Sequence, residues 1–386
     1  MKVLIVTIFN YPHVGGLSTH VDMLSKELSR RDHEVDIISY RNVSHSIEDI
    51  SYEMCSGLTE ESELIKYYIR SINCIRLVVE ERLKTKEYDI INAEDVMAMS
   101  ALKDISASKV LTVHGYLTFE NLSTGRVHEN SSEERFLLDI EKQGYSAANE
   151  VIAVDTELKN YIKSLIGVDV NIIKNFVDTD ELDANKYDQM KVRDELGVDR
   201  DVRVLFCPRR LTDKNGVIYP AIAVNQLKDI LRNLILYYSS DGEDRGLIEN
   251  FIRTNNLQER IILLGEISHE YMIKYYAASD AVIIPSIDSK SVKEATSISA
   301  LEAMSMSKPV IASSIGGLKE LIVDRKSGLL VEEKNISQLV DAIMRVMLNN
   351  RLRMSISKGA RRRVLKEFSI IDGVQKYIDV YIKARN

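Results

Sequence analysis

Glu294 and Glu302 stand eight residues apart in the run Glu-Ala-Thr-Ser-Ile-Ser-Ala-Leu-Glu. Thr296 to Ser299 is poor helix sequence, whereas Ala300 to Met306 is good. The reading is a loop that carries Glu294 and a helix that carries Glu302 one or two turns in. The amides of Thr296, Ser297 and Ile298 then become donors at a helix N-terminus, where the dipole favours an anion. A carboxylate on either side would accept hydrogen bonds from hydroxyls. This is a template for a nucleotide sugar: the sugar at one end, the diphosphate on the amides, the ribose at the other. Two glutamates alone would be a solvated face; the strand-loop-helix setting argues for a site.

Three further groups could share that chemistry. In Cys207-Pro-Arg-Arg-Leu-Thr-Asp-Lys-Asn-Gly216, Arg209 and Lys214 lie five apart on one loop. Arginine offers a fork and lysine a point charge, and both can meet a diphosphate. Gly15 and Gly16 open a helix at Ser18-Thr19-His20, and backbone amides free of Cβ can cradle a phosphate. The spacing GxGxxG of a dinucleotide site is absent. His114-Gly115 closes a strand-like run; a lone histidine is usually structural, and its place at a strand's carboxyl end before a glycine raises the functional reading.

The elements that must hold these residues are short apolar runs alternating with stretches of helical period. The first set is 3–9, 34–39, 88–92, 109–113, 150–154 and 170–173. The second is 202–207, 233–238, 260–264, 281–285, 309–313 and 328–332. Most are apolar throughout, which marks parallel strands covered on both faces. The expectation is an α/β protein of two doubly wound domains facing a cleft, with ligands beyond the carboxyl ends of the strands. A linker is placed in the charged segment Asn175 to Arg200. The domains are read as 1–180 and 181–368, and a final helix spans 369–386.

Composition narrows the classes. The 386 residues are 45% apolar, with a net charge of -7, which disfavours nucleic acid and anionic lipid as partners. Cys55, Cys74 and Cys207 are too few for a disulfide framework, so a reducing cytoplasm is expected. No run is long enough to span a bilayer. No His, Cys or Asp cluster has metal-ligand spacing, so no metal or cofactor is expected.

In this order the motifs resemble a retaining glycosyltransferase of family 4 with the two-Rossmann-domain GT-B fold. The resemblance covers essentially the whole chain. It includes Lys174-Asn175-Phe176-Val177-Asp178, Asp241-Gly242, Lys308-Pro309-Val310, Gly316-Gly317 with Glu320, and Gly328-Leu329-Leu330-Val331. The paired glutamates are its most specific mark. The resemblance implies that Glu302 binds the ribose and Glu294 the donor sugar. It implies that Arg209 and Lys214 hold the diphosphate, aided by amides of Gly16, Ser297 and Ile298. His114 would lie near the anomeric centre, Asp241-Gly242 would border the nucleotide, and the last helix would cross back to the first domain. Serine at 297, phenylalanine at 176 and serine at 240 depart from the usual glycines. The expected route is front-face attack through an oxocarbenium-like ion pair, with retention of configuration.

The donor is read as a UDP-sugar such as UDP-N-acetylglucosamine or UDP-glucose. The acceptor is assigned to the first domain. Its stretch from Leu117 to Glu141 holds Glu120, Glu129, Glu133, Glu134, Asp139 and Glu141 against Arg126 and Arg135, and Glu94-Asp95 adds two acids. Such a face suits a cationic or neutral polar acceptor, for which an aminocyclitol such as 2-deoxystreptamine in antibiotic biosynthesis is the expectation. A cell-wall, capsule or lipid-linked glycan transferase would share every donor motif. The helix expected from Glu60 to Glu87, however, balances six bases with six acids and has no net charge for anionic lipid. A non-catalytic nucleotide-sugar binding protein is the remaining alternative. The oligomeric state is left open.

Overall fold

The computed structural model describes residues 1–13, 15–289 and 294–386. The chain divides into two units, Met1–Asn175 with Ile370–Asn386, and Phe176–Ser369.

Every apolar run named above overlaps a strand. The first unit holds β1 (Lys2–Val6), β2 (Glu34–Ile38), β3 (Ile90–Ala93), β4 (Lys109–Val113), β5 (Glu150–Ala153) and β6 (Asn171–Ile172). They lie in the order β2-β1-β3-β4-β5-β6, all parallel. Val3 to Val6 of β1 are fully buried, because a parallel sheet is covered on both faces. The helix Gly16–Arg30 buries Val21, Leu24 and Leu28, spaced three and four apart. The long helix runs Glu63–Leu83, shorter than expected, because Ser62 accepts the Ile65 amide and caps it.

The last helix, Ile370–Arg385, belongs to this first unit. It lies against Gly16–Arg30 and strands β3 to β5. Tyr377 and Tyr381 are 0% exposed. Polar ties flank them: Arg31 Nη2 donates to the Ile371 carbonyl at 2.7 Å, and Arg385 pairs with Asp89 at 2.8 Å.

The second unit holds β7 (Arg203–Cys207), β8 (Leu234–Tyr238), β9 (Ile261–Leu263), β10 (Ala281–Ile284), β11 (Val310–Ser313) and β12 (Leu329–Val331). The order is β12-β11-β10-β7-β8-β9, again parallel. The charged segment from Asn175 to Arg200 is not a linker. From Phe176 onward it is folded into this unit, with Val177, Leu182, Val192 and Val198 in the core. Its charges mislead because one of them is internal. Arg193, 2% exposed, donates to the Ala278 carbonyl at 2.9 Å and to Asp280 at 2.8 Å, and so anchors the helix Gln189–Leu196.

In each sheet the earliest strand sits inside, with later strands on both sides. The chain leaves β1 and β3 toward opposite faces, and likewise β7 and β10. A crevice opens at the carboxyl ends of such a pair.

Replacing Tyr377 by alanine should cost about 3–5 kcal/mol, as for other buried aromatic rings. Differential scanning calorimetry should show a transition lowered by roughly 10 °C. An unchanged transition would mean that the helix Ile370–Arg385 is not integral to the first unit.

Candidate functional site

In the second unit the crevice between β7 and β10 gathers the groups singled out in the sequence. Arg209 follows β7 and Ser286 follows β10. Arg209 Nη2 donates to Glu294 Oε2 at 2.6 Å, and Nη1 donates to Ser297 Oγ at 3.3 Å. Nη2 also reaches Ser286 Oγ at 3.3 Å and the side-chain oxygen Oδ1 of Asn215. Ser286 in turn donates to Glu294 at 3.1 Å. Arginine and carboxylate are 12% and 14% exposed, so a charge-assisted bond here is screened little by solvent.

Local geometry explains the loop. Asn215 donates to the Arg210 carbonyl at 2.9 Å and to Thr212 Oγ1 at 3.0 Å, closing the turn. Gly216 has φ +60°, and a Cβ there would lie 2.0 Å from the Pro285 carbonyl oxygen, so only glycine fits. Lys214 is exposed on this turn, and its carbonyl accepts the Ile287 amide at 3.0 Å. The loop after β7 is thereby stitched to the segment after β10.

The helix Ile298–Ser305 starts at Ser297, and no side chain caps it. Ser297 Oγ is engaged by Arg209, and the first-turn amides have no partner within the helix. Thr296 and Ser297 are 3% exposed. Glu302 lies in this helix at 7% exposure, where Oε2 accepts the Tyr276 hydroxyl at 2.8 Å. Burial pushes the Glu302 carboxyl above its usual range and the Tyr276 phenol well above its own. Asp241 is exposed, pairs with Arg245 at 3.2 Å and accepts the Gly242 amide at 2.8 Å. Ser240 holds φ 105°, in the region that favours glycine.

In the first unit the crevice between β1 and β3 lies beside β4. His114, after β4, brings Nε2 to 2.8 Å from Glu94 Oε2, after β3. His20, from the helix Gly16–Arg30, lies 3.8 Å from the same oxygen and 3.2 Å from the Tyr377 hydroxyl. Burial, and then the charge of His114, holds His20 well below the usual imidazole range. Sequence spacing gave no metal-ligand cluster, but folding brings one ligand atom each of His20, Glu94 and His114 within 4.8 Å of one another. Gly15 precedes this helix, and the Thr19 amide donates to its carbonyl at 3.1 Å. Gly16 is the helix's first residue.

The acidic face expected for an acceptor is not assembled as read. Glu94 is 0% exposed and faces histidines. Asp95 accepts Thr7 Oγ1 and the Ile8 amide at 2.9 Å and the Ala98 amide at 2.7 Å, capping the helix Val96–Ala101. Burial raises its carboxyl against those bonds. Glu141 is also 0% exposed and holds the Leu117 amide, Thr118, Tyr145 and Tyr161. It therefore pins the helix Leu117–Ser123 that follows His114-Gly115. Glu133 and Glu134 sit at the start of the helix Ser132–Ala147, where Glu133 accepts Ser132 and Glu134 the Asn130 amide. Glu120 lies beside Gly115, the residue after the histidine: a Cβ there would come 2.7 Å from its carboxylate.

Sequence reasoning missed Ser286, Asn215, Tyr276 and His20 as partners. Ser286 had a usable signal, since it follows the apolar run 281–285 as Arg209 follows 202–207. Tyr276, inside a helix, had none.

Comparison with known proteins gives the family and the fold. Residues 14–181 match the family described as Glycosyltransferase Family 4, and residues 188–363 match Glycosyl transferases group 1. An uncharacterised glycosyltransferase of Methanocaldococcus jannaschii is 27% identical, over 99% of this chain and 98% of its own. The alpha-D-kanosaminyltransferase of Streptomyces kanamyceticus is 26% identical over 50% of this chain and 48% of its own. The Escherichia coli UDP-Gal:alpha-D-GlcNAc-diphosphoundecaprenol alpha-1,3-galactosyltransferase is 26% identical over 78% and 76%. Among solved structures, sucrose-phosphate synthase of Thermosynechococcus elongatus superposes with a TM-score of 0.80 at 20% identity, covering 99% and 98%. Anabaena HepE, crystallised with UDP-glucose, gives 0.74 at 18%, covering 99% and 100%. The fold is GT-B.

A carboxyl raised by burial makes the fold bind its proton more tightly than the unfolded chain does. Stability therefore falls as pH rises from about 4.3, the ordinary glutamate value, through the folded one. Glu302→Gln should raise the melting temperature by a few degrees at pH 8 and leave it near wild type at about pH 4. A variant no more stable at pH 8 than at pH 4, relative to wild type, would count against a strained carboxylate.

Proposed function

We propose that this chain, which belongs to the family 4-like glycosyltransferases and takes its sugar from a nucleotide donor, moves a hexosyl or N-acetylhexosaminyl group from a UDP-sugar to a small polar hydroxyl acceptor. UDP-glucose and UDP-N-acetylglucosamine are the donors favoured. The reading rests on one observation: Arg209, Glu294 and Ser297 are tied together at the head of the helix that carries Glu302.

The roles follow from charge. Arg209, Lys214 and the amides at Thr296, Ser297 and Ile298 meet the diphosphate. Glu294 takes hydroxyls of the donor sugar, and Glu302 takes those of the ribose. Asp241-Gly242 borders the nucleotide. In the first unit, Gly15 and Gly16 carry backbone amides suited to a phosphate, and His114 a ring suited to a sugar hydroxyl. As the bond from the anomeric carbon to the phosphate oxygen breaks, charge grows on the diphosphate, where fixed cations and dipoles act most strongly. The acceptor oxygen bonds to the same face of the carbon, and its proton passes to the departing phosphate. Configuration is retained, and no metal is required.

For the acceptor, the kanosaminyltransferase relative and Glu120 beside His114-Gly115 support a polar, amine-bearing molecule such as an aminocyclitol. A lipid-linked or cell-wall glycan is the second reading, favoured by the larger span shared with the galactosyltransferase. Among the described residues no helix is long and apolar enough to cross a membrane.

Purified protein given radiolabelled UDP-sugars and both acceptor classes should yield a product of retained configuration by NMR. UDP binding without any turnover would leave a binding protein instead. Glu302→Ala should weaken UDP binding by about 1.5–3 kcal/mol, the worth of a hydrogen bond to a charged group. Equal affinity by calorimetry would remove Glu302 from the ribose. Arg209→Ala with Lys214→Ala should cut turnover by about 10²-fold or more. Turnover should persist in EDTA; its loss, restored by a divalent ion, would overturn the metal-free route.

A further inference from the structure

Glu94 is a buried carboxylate; among the described residues the basic side chains that reach it are His20 and His114, and no arginine or lysine does. Its two oxygens are divided. Oε1 accepts Asn92 Nδ2 at 2.5 Å, and Asn92 Oδ1 accepts Thr112 Oγ1 at 3.3 Å. Oε2 faces His114 Nε2 at 2.8 Å. A contact of 2.8 Å needs one proton between the two atoms, and a carboxylate that only accepts can take it from the ring nitrogen alone. His114 Nδ1 has no hydrogen-bond partner among the described residues, and the ring is 16% exposed where His20 and Glu94 are 0%.

A divalent ion would arrange these atoms differently. Two ligands on a tetrahedral zinc at about 2.0 Å stand roughly 3.3 Å apart. The 2.8 Å between Glu94 and His114 is a hydrogen-bond length instead, and His20 Nε2 is engaged with Tyr377. Behind the pair, burial keeps Tyr377 and Tyr381 as neutral phenols and His20 as a neutral imidazole.

We propose that Glu94 is a positioning residue for His114. It locks the ring as the Nε2–H tautomer and so leaves Nδ1 as the atom presented to a sugar hydroxyl. This rests on the transferase reading for the identity of that hydroxyl, whereas the tautomer itself does not. Asn92 and Thr112 hold the carboxylate, so the ring's direction is set by strands β3 and β4.

The test begins with the intact wild type. Two-bond proton–nitrogen NMR on histidine-labelled protein, with His114 assigned from His114→Gln, should show the Nε2–H form at neutral pH. The Nδ1–H form or an equal mixture would overturn the proposal, as would one equivalent of metal retained after dialysis and lost in Glu94→Gln. Glu94→Gln can present either an oxygen or an NH₂ to the ring. It should mix the tautomers and lower kcat by about tenfold or more with the donor KM within about twofold, as for a misaligned acid–base group. Glu94→Asp should recover part of that loss. Wild-type kcat in Glu94→Gln would also overturn the proposal. A wild type that transfers no sugar while showing the Nε2–H ring would overturn the transferase reading and leave the tautomer assignment standing.

Discussion

The reversal of strand order inside each parallel sheet governs everything described above. A strand that starts a doubly wound sheet has neighbours on both sides, so the loops leaving it and its later neighbour part company. The gap cannot be filled by another crossover, and polar groups at strand ends collect there. Arg209 and Ser286 flank that gap in one unit. Thr7, Glu94 and Asp95 flank it in the other, beside His114 on the next strand. The buried apolar strands beneath are rigid and nearly featureless, which lets the ends above them differ chemically at little cost.

Within the second unit the central tension is the packing of charge where water is scarce. Arg209 meets Glu294 at 2.6 Å, with Ser286, Ser297 and Asn215 around it. Such a pair contributes little net stability, since desolvation offsets much of the attraction. Its value lies in fixed direction: the guanidinium and carboxylate stand in place before any ligand arrives. Glu302 shows the opposite arrangement. Its hydrogen-bond partner is Tyr276, and burial raises its carboxyl against the weaker opposing pull of His269. Stability is given up where a hydroxyl-rich ligand could recover it.

Much of this was legible in the residues. Fully covered parallel strands read as continuous apolar runs, so their places were plain, and with them the loops that carry Arg209, His114 and Glu294. Side-chain partnerships were less legible because they depend on strand order, which spacing does not encode. His20 and His114 are distant in sequence yet share a carboxylate, since β1 and β4 each lie beside β3. Glu94 and Asp95 are adjacent yet diverge: one turns inward to histidine, the other caps a helix. Read as a pair they suggested an acidic surface. The charged stretch after Phe176 misled for the same reason, because Arg193 finds Asp280 only once the sheet is built.

The return of Ile370–Arg385 to the first unit has a consequence for how the chain is made. A ribosome delivers domains in order, and each usually closes as it emerges. Here the residues that bury Tyr377 and Tyr381 against His20 and the middle strands are translated only after the whole second unit. Until then the first unit has an open apolar furrow along Gly16–Arg30. The second unit, continuous in sequence, can finish folding first. The nascent chain thus carries a half-closed domain throughout the synthesis of the second unit, and chaperone attention would concentrate on that furrow.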